Sequence, residues 1–547
     1  MKEVKYNINF CVKTFLALLF IANIFNAQTL EHGIKLMEVE KYKEAKSVFE
    51  SIANTNPKEA SSAYFNLGKL SLIDAKVDAA KEYFQKGLNI DKENAYNYVG
   101  MGNIALLQKD SVEAQKQFEE ALDMTDFKDV YVFIAVADAF INSDSKNLSK
   151  AFEWMNKAKT IKDQKKNPML YYKIAELYVK ANNGSLASEN YRIAINYDDK
   201  FIPAYLGLAE VYLKIKIYND AEANLNSAYA IDSTYALTHK EFAEFYNTVR
   251  NFGKAAASYK NYIDLSERTI PKLERYATLL YLAKGYKDAI EVIKEIQTQK
   301  EADAQLTHIL AFSYYALDDF TNGIPAFEKY FKLASENELI STDYQYFGKL
   351  EVLAGNDSVA ALNYIKAMKM DTSLADLHGD VAAIYFKAKK YQEAADEYAL
   401  KEKLVGKLSV REHFDYGRAY MILKQYANAD SVFKKFTEVK PDLPLGYLWR
   451  ARANTNIDTT SELGYAKPYY EKFIEIVTAP GSDQSKYKND LMEAYRYLGY
   501  FYYIKREDPN YKDTWRDNYK NYWEKVLTLD PENKAAKDAL DNLKILK

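Results

Sequence analysis

Residues 202–235, IPAYLGLAEVYLKIKIYNDAEANLNSAYAIDSTY, place Ala209 and Ala221 twelve positions apart and follow the second with Leu225 and Ala228. Apolar residues in this stretch recur at the three-to-four spacing of a helix that buries one side. The polar break Lys216-Ile217-Tyr218-Asn219-Asp220 between the two runs is too short for anything but a helical hairpin. Two antiparallel helices approach closely only where one offers a small side chain to a bulky one on the other, which is the role read for Ala209 and Ala221.

The same arrangement extends along the chain in both directions. A small residue followed four positions later by a large one recurs as Ala45/Phe49, Ala80/Phe84, Ala114/Phe118, Ala151/Met155, Ala187/Tyr191, Ala221/Leu225, Ala255/Tyr259 and Ala289/Ile293. It continues as Gly323/Phe327, Ala360/Tyr364, Ala394/Tyr398, Ala429/Phe433 and Ala466/Tyr470, with a modal interval of 34 residues. A second small residue lies twelve positions upstream of many of these, as at Gly33, Gly68, Gly102, Ala175, Ala243, Ala277, Gly348 and Gly417. A fixed period of this length is the signature of a repeat array. Glycine and proline are sparse at 19 and 11, and 48% of residues are hydrophobic, so a chain of 547 residues has the apolar surface an extended array must bury.

The pattern resembles the tetratricopeptide repeat family, with small residues at repeat positions 8 and 20, an aromatic at 24 and a helix-ending proline at 32. Pro57 and Pro531 occupy position 32, whereas some repeats without that proline carry Asp-Lys or Asp-Ser pairs there, such as Asp91-Lys92 and Asp232-Ser233. The resemblance implies an all-α, right-handed α-solenoid of about 14 helix-turn-helix repeats. The expected layout is a signal peptide over 1–27, the solenoid over 28–479, an irregular terminal repeat over 480–531 and a capping helix over 532–547. In the terminal unit Gly499 and Tyr519 stand 20 residues apart instead of twelve, which an insertion around Asp508-Pro509-Asn510 explains. The Pro/Gly/Ser cluster at 479–485 marks the weakest joint.

Lys2, Lys5 and Lys13 precede a 12-residue apolar run from Thr14 to Phe25, and Ala27 before Gln28 offers a small residue for cleavage. The run falls short of the roughly 20 residues a bilayer demands, so an exported protein, periplasmic in a bacterium, is expected rather than one with a permanent span. Retention at the membrane through an uncleaved N-terminal segment is the alternative. Cys11 is the single cysteine and lies inside that signal, leaving the mature chain no thiol nucleophile or disulfide. With 74 basic and 77 acidic residues, no electrostatic case for nucleic acid exists.

Chemistry-bearing constellations are missing from the sequence. His32, His239, His308, His378 and His413 are scattered, with no pair at the i, i+4 spacing of a helical metal site. Carboxylates are read as solvated helix surface, and Tyr212, Tyr246, Tyr314, Tyr385 and Tyr420 as packing. Asp-Ser-Val at 110–112 and 357–359 is read as helix capping. No enzyme activity, metal or cofactor is expected.

The resemblance further implies that positions 2, 5, 9 and 12 of each first helix line a concave groove for a protein or peptide partner. Positions 5 and 9 then give Lys69, Asn103, Tyr172, Glu176, Glu210, Lys240, Glu244, His308, Lys349 and Arg418 as candidate contacts. The family's carboxylate clamp, which grips chaperone C-termini, has no consecutive trio here. Glu176, Glu210 and Glu244 share position 9 in successive repeats and are expected to form an acidic stripe for a basic or amide-rich segment. A glycan or small-ligand receptor is the alternative, for which Trp515, Trp523 and the run Tyr500–Tyr503 would supply exposed rings. An enzyme site hidden in the irregular C-terminal repeat is a further rival.

Overall fold

A computed structural model describes residues 29–545, so the N-terminal signal lies outside the described residues. Those residues form 29 α-helices and four short 3-10 turns, with no strand among them. The helices pair in sequence as 14 hairpins, from Leu30–Glu38 with Tyr42–Thr55 to Lys488–Ile504 with Trp515–Leu529, and Lys534–Ile545 closes the series. The architecture is the expected helical solenoid. The chain divides into two compact units, parting between Ala302 and Asp303, with eight hairpins in the first and six in the second.

The two helices of a hairpin carry different patterns because they face different surroundings. First helices such as Val130–Asn142 bury eight residues on several sides, packed against the first helices before and after, Ala95–Leu107 and Pro168–Lys180, and against second helices. Second helices such as Tyr42–Thr55 bury only Ala45, Phe49 and Ile52 and turn their charged side outward. The small-to-large rule is literal at the glycines. A Cβ added at Gly68 would stand 2.2 Å from Phe84 Cε1, one at Gly102 2.4 Å from Phe118 Cε1, and one at Gly417 2.5 Å from Phe433 Cζ. Each of these rings is fully buried, so position 8 lacks a side chain because the position-24 ring of the same hairpin fills that space.

Turns repeat with the helices. Within hairpins one residue adopts the left-handed region: Ala75, Lys109, Asn182, Lys216, Arg250 and Lys284 in the first unit, then Asp318, Gly355, Lys389 and Lys424 in the second. At Lys216 the following N–H of Ile217 donates to Tyr212 O at 2.9 Å, satisfying a carbonyl the helix end would leave open. Between hairpins an aspartate replaces proline by a different device: Asp91 and Asp232 of the Asp-Lys and Asp-Ser pairs, and Asp198 and Asp371 at the same place, each accept the N–H two residues on at 2.8–2.9 Å.

Departures from the 34-residue interval are enlarged turns. The ten residues between Ile504 and Trp515 hold the expected insertion, and Tyr519 OH then donates to Ala539 O of the closing helix at 3.2 Å. Smaller ones lie within hairpins at 143–148 and 458–466, the latter organised by buried Asp458 accepting Gly464 N–H at 2.7 Å. Of the two Asp-Ser-Val helix starts, Asp110 caps its helix through Glu113 N–H at 3.0 Å. Asp357 does not; it is the first helical residue and pairs with Lys387 at 2.7 Å.

A candidate partner-binding concavity

First helices of the N-terminal unit turn one edge toward a common hollow of about 1090 Å³. Repeat position 2 contributes Ser62, Tyr96, Tyr131, Met169, Pro203 and Leu237, and position 5 contributes Leu30, Phe65, Ile134, Tyr172, Leu206 and Lys240. Position 9 adds Ile34, Lys69, Asp138, Glu176 and Glu210. An adjoining hollow of about 490 Å³ shares Phe65, Lys69 and Asp138 and adds Val99, Gly100 and Asn103.

Two contributions escaped the sequence. In the hairpin that contains Ala151/Met155 the turn is lengthened and Ala137 stands 14 residues before Ala151, so the twelve-residue interval gives no register for Ile134 and Asp138 of Val130–Asn142. Position 6 also faces inward, through Asn66, Ala135, Lys173, Gly207 and Glu241. Glycine there acts as a window: a Cβ on Gly207 would lie 2.4 Å from Tyr191 Cζ, so the Tyr191 ring of a second helix reaches the hollow. Gly100 admits Phe84 to the smaller hollow in the same way.

The first repeat meets the seventh and eighth, which closes the N-terminal unit around the hollow. Glu40, the left-handed turn residue of the first hairpin, accepts from the Tyr262 hydroxyl, and pairs with Lys272 at 2.9 Å and Lys240 at 3.6 Å. Its carbonyl accepts Glu267 N–H at 3.3 Å, and Glu267 in turn binds Lys43 through the main chain at 3.0 Å and the ammonium at 3.1 Å. Burial raises the Glu40 carboxyl pKa, but the hydrogen bonds from Tyr262 and Lys272 and the two ammonium charges outweigh it and hold the carboxyl below its ordinary range.

The expected acidic stripe is present in register but not in charge. Glu176 binds Lys173 at 2.6 Å and accepts from Tyr172 OH at 3.0 Å, Glu210 binds Lys214 at 2.7 Å, and Glu244 receives Arg275 Nη2 on both oxygens at 2.9 and 3.2 Å. Lys173 also reaches Asp138 at 2.7 Å. Each of the three carboxylates therefore already holds a cation, because neighbouring helix positions supply the partner that a position-9 reading alone omits. Besides Glu38, which Lys35 and Lys69 attract without pairing, the carboxylate left over is Glu241, which lines the hollow with no side-chain ion pair or hydrogen bond among the described residues. Burial first, then the charge of Glu210 with Glu244 behind it, pushes its carboxyl up to about 7 against the pull of Lys240 and Lys214.

The remaining candidates belong to the C-terminal unit. His308 Nε2 meets fully buried Asp343 at 3.1 Å and packs on Phe312 and Tyr330, Lys349 sits 5.2 Å over Tyr346, and Arg418 stacks on Phe386 and Phe414. The solvated-surface reading of carboxylates thus fails for Asp343, as it does for Glu351 and Asp458, which are also buried. The ring cluster of the last repeat is core, not platform: Tyr502, Tyr519 and Trp523 are buried, and Tyr500 alone of the run stands well out. A polar hollow of about 650 Å³ does lie beside that repeat. Its Arg452 is already clamped by Asp490 at 2.7 Å and Glu493, and Glu493 accepts from Tyr470 at 2.8 Å. No cluster of three metal-ligating side chains occurs among the described residues.

The tetratricopeptide repeat model matches residues 61–94 and 413–443, one hairpin in each unit. Over 49% of its length the chain is 33% identical to the C-terminal part of a TPR repeat-containing protein from Cytophaga hutchinsonii, covering 99% of that structure. This chain belongs to the tetratricopeptide repeat family. The TM-score to the Cytophaga structure is 0.36. A tetratricopeptide repeat protein from Parabacteroides merdae is 17% identical, with 45% of this chain and 96% of that one covered and a TM-score of 0.30. PilF of Pseudomonas aeruginosa is 16% identical over 41% of this chain and 100% of that one, with a TM-score of 0.28. Among curated proteins none matches. Tetratricopeptide repeats generally mediate protein–protein interaction, and the fold is typically a non-catalytic scaffold.

Proposed function

We propose that this tetratricopeptide protein is an exported, non-catalytic interaction scaffold that holds a segment of a partner protein in the concavity of its N-terminal unit. The observation that carries this reading is the hollow itself. Seven consecutive first helices direct apolar, aromatic and charged side chains into it, and the Glu40 contacts fix its outline before a partner arrives. A preformed hollow spares the partner the ordering cost that a flexible surface would impose. Export to the bacterial envelope, the periplasm first, is supported by the basic and apolar segments ahead of Gln28. Among the described residues no helix is long and apolar enough to cross a membrane.

A photo-crosslinking amino acid placed at Tyr172, inside the hollow, tests the reading against the same probe at exposed Ala257 on a second helix. Protein adducts formed in living cells from position 172 and not from 257 support it; adducts from 257 alone refute it. N-terminal sequencing of the mature protein tests export: a start at Gln28 supports it, and a retained Met1 refutes cleavage.

A further inference from the structure

The N-terminal hollow combines two chemistries that rarely serve the same ligand unless it is amphipathic. Its walls are apolar and aromatic, with Met37, Leu206 and Leu237 beside Phe65, Tyr172 and Tyr235. Its carboxylates are nearly all spent: Asp138 and Glu176 on Lys173, Glu210 on Lys214, Glu40 on Lys240 and Lys272. Glu241 is an exception, as is Glu38, which Lys35 and Lys69 attract without pairing.

From this charge pattern we infer that the partner segment presents a lysine or arginine side chain to Glu241, flanked by large apolar residues that pack on the aromatic walls. The inference rests on the proposed peptide-binding reading and specifies its occupant. Three observations converge on it. Glu241 occupies repeat position 6, and the same position of the preceding helix is Gly207, which adds no side chain to the wall. Through that gap the Tyr191 ring joins the lining of the hollow, where an aromatic face suits an ammonium or guanidinium. The cations around Glu241 are committed elsewhere, Lys240 to Glu40 and Lys214 to Glu210, and Arg275 to Glu244 on the neighbouring face. A long basic side chain buries its methylene stem against apolar surface while its head meets the carboxylate, matching the mixed lining. The unoccupied Glu241 carboxyl is held near neutrality by burial and by Glu210 and Glu244, so a bound cation relieves that repulsion and displaces a proton.

The test uses the immobilised full chain and two pools of N-acetylated, C-amidated heptapeptides. Six positions vary among Phe, Leu, Tyr, Ala and Gly, and the centre is lysine in one pool and norleucine, its uncharged analogue, in the other. Retention of the lysine pool at least tenfold above the norleucine pool at pH 8, with the preference lost in Glu241→Gln and kept in Glu82→Gln, at an exposed second-helix position outside the hollow, is the expected result. Equal retention of both pools overturns the cation assignment and leaves the peptide-binding reading standing. Equal loss of preference in both variants also overturns it, since the charge would then be read diffusely. Retention of neither pool overturns the peptide-binding reading and the inference with it.

Discussion

Replacing Glu241 with glutamine should stabilise the unliganded N-terminal unit, and only above a definite pH. In the unfolded chain the carboxyl titrates at its ordinary 4.5, whereas in the fold it titrates at about 7. Below 4.5 it is protonated in both states and contributes no difference. Between 4.5 and 7 the folded form binds more proton than the unfolded one, so stability falls as pH rises, and above 7 the full penalty is present. At 1.36 kcal/mol per unit the penalty is roughly 3 kcal/mol. Glutamine has the same shape without the charge and removes it. Because hairpins open locally in a repeat array, the measurement is hydrogen exchange by mass spectrometry on the helix Ala236–Thr248, corrected for intrinsic rates. At pH 8 the variant should gain roughly 2–3 kcal/mol of protection. At pH 4.5 the two proteins should coincide. Identical pH profiles, or a less protected variant at pH 8, would refute the placement of an uncompensated carboxyl in the hollow.

Gly68→Ala forces a methyl into the Phe84 ring and should cost about 1–3 kcal/mol, seen as lost protection in Ala60–Ile73 and Val77–Ile90 with the C-terminal unit unchanged. Lys216→Gly and Arg250→Gly, at left-handed turn residues, should each raise stability by about 0.5–1 kcal/mol in denaturant titrations monitored on the N-terminal unit. Glu40→Gln weakens the closing contacts and should speed exchange across Leu30–Glu38 at pH 7. In the wild-type protein the same helix should loosen as pH falls below 4.5, because a carboxyl held below its ordinary range contributes stability only while ionised.

Fold and site differ in how far they could be read from residues alone, and the reason is the range of the contacts that decide each. The hairpin depends on neighbours twelve to sixteen positions apart, Gly68 with Phe84 or Gly417 with Phe433, so its register is written in short sequence. The hollow depends on residues brought together from seven repeats, and its charge depends on partners of mixed origin. Lys214 and Lys173 lie on the same helix as the carboxylates they neutralise, whereas Arg275 reaches Glu244 from the next repeat. Counting position 9 alone therefore registered three carboxylates and none of their cations. Glu241 lies at position 6, outside the positions 2, 5, 9 and 12 that the family resemblance assigns to the groove, and only the assembled wall shows that this position carries a charge into the hollow. Closure through Glu40 had no sequence signal at all, since residues 40 and 262 are tied by the curvature of the unit and not by any local pattern.

That closure bears on why the array keeps a half-buried, unpaired carboxylate in its hollow. A solenoid hairpin touches only its neighbours, so a charge unfavourable in one repeat is tolerated as long as adjoining interfaces hold that repeat in place. In the seventh repeat the holding is reinforced from outside the neighbour series: Lys240, one residue from Glu241, is drawn to Glu40 of the first repeat, and Lys272 of the eighth binds the same carboxylate. The contact that closes the unit thus also removes the cation best placed to neutralise Glu241. Loosening Glu40 frees Lys240 to turn toward Glu241, lowering that carboxyl's titration and with it the premium on a cationic ligand. Glu40→Gln should therefore blunt the lysine-over-norleucine preference without touching Glu241. A variant with the preference intact would show that closure and charge recognition are independent.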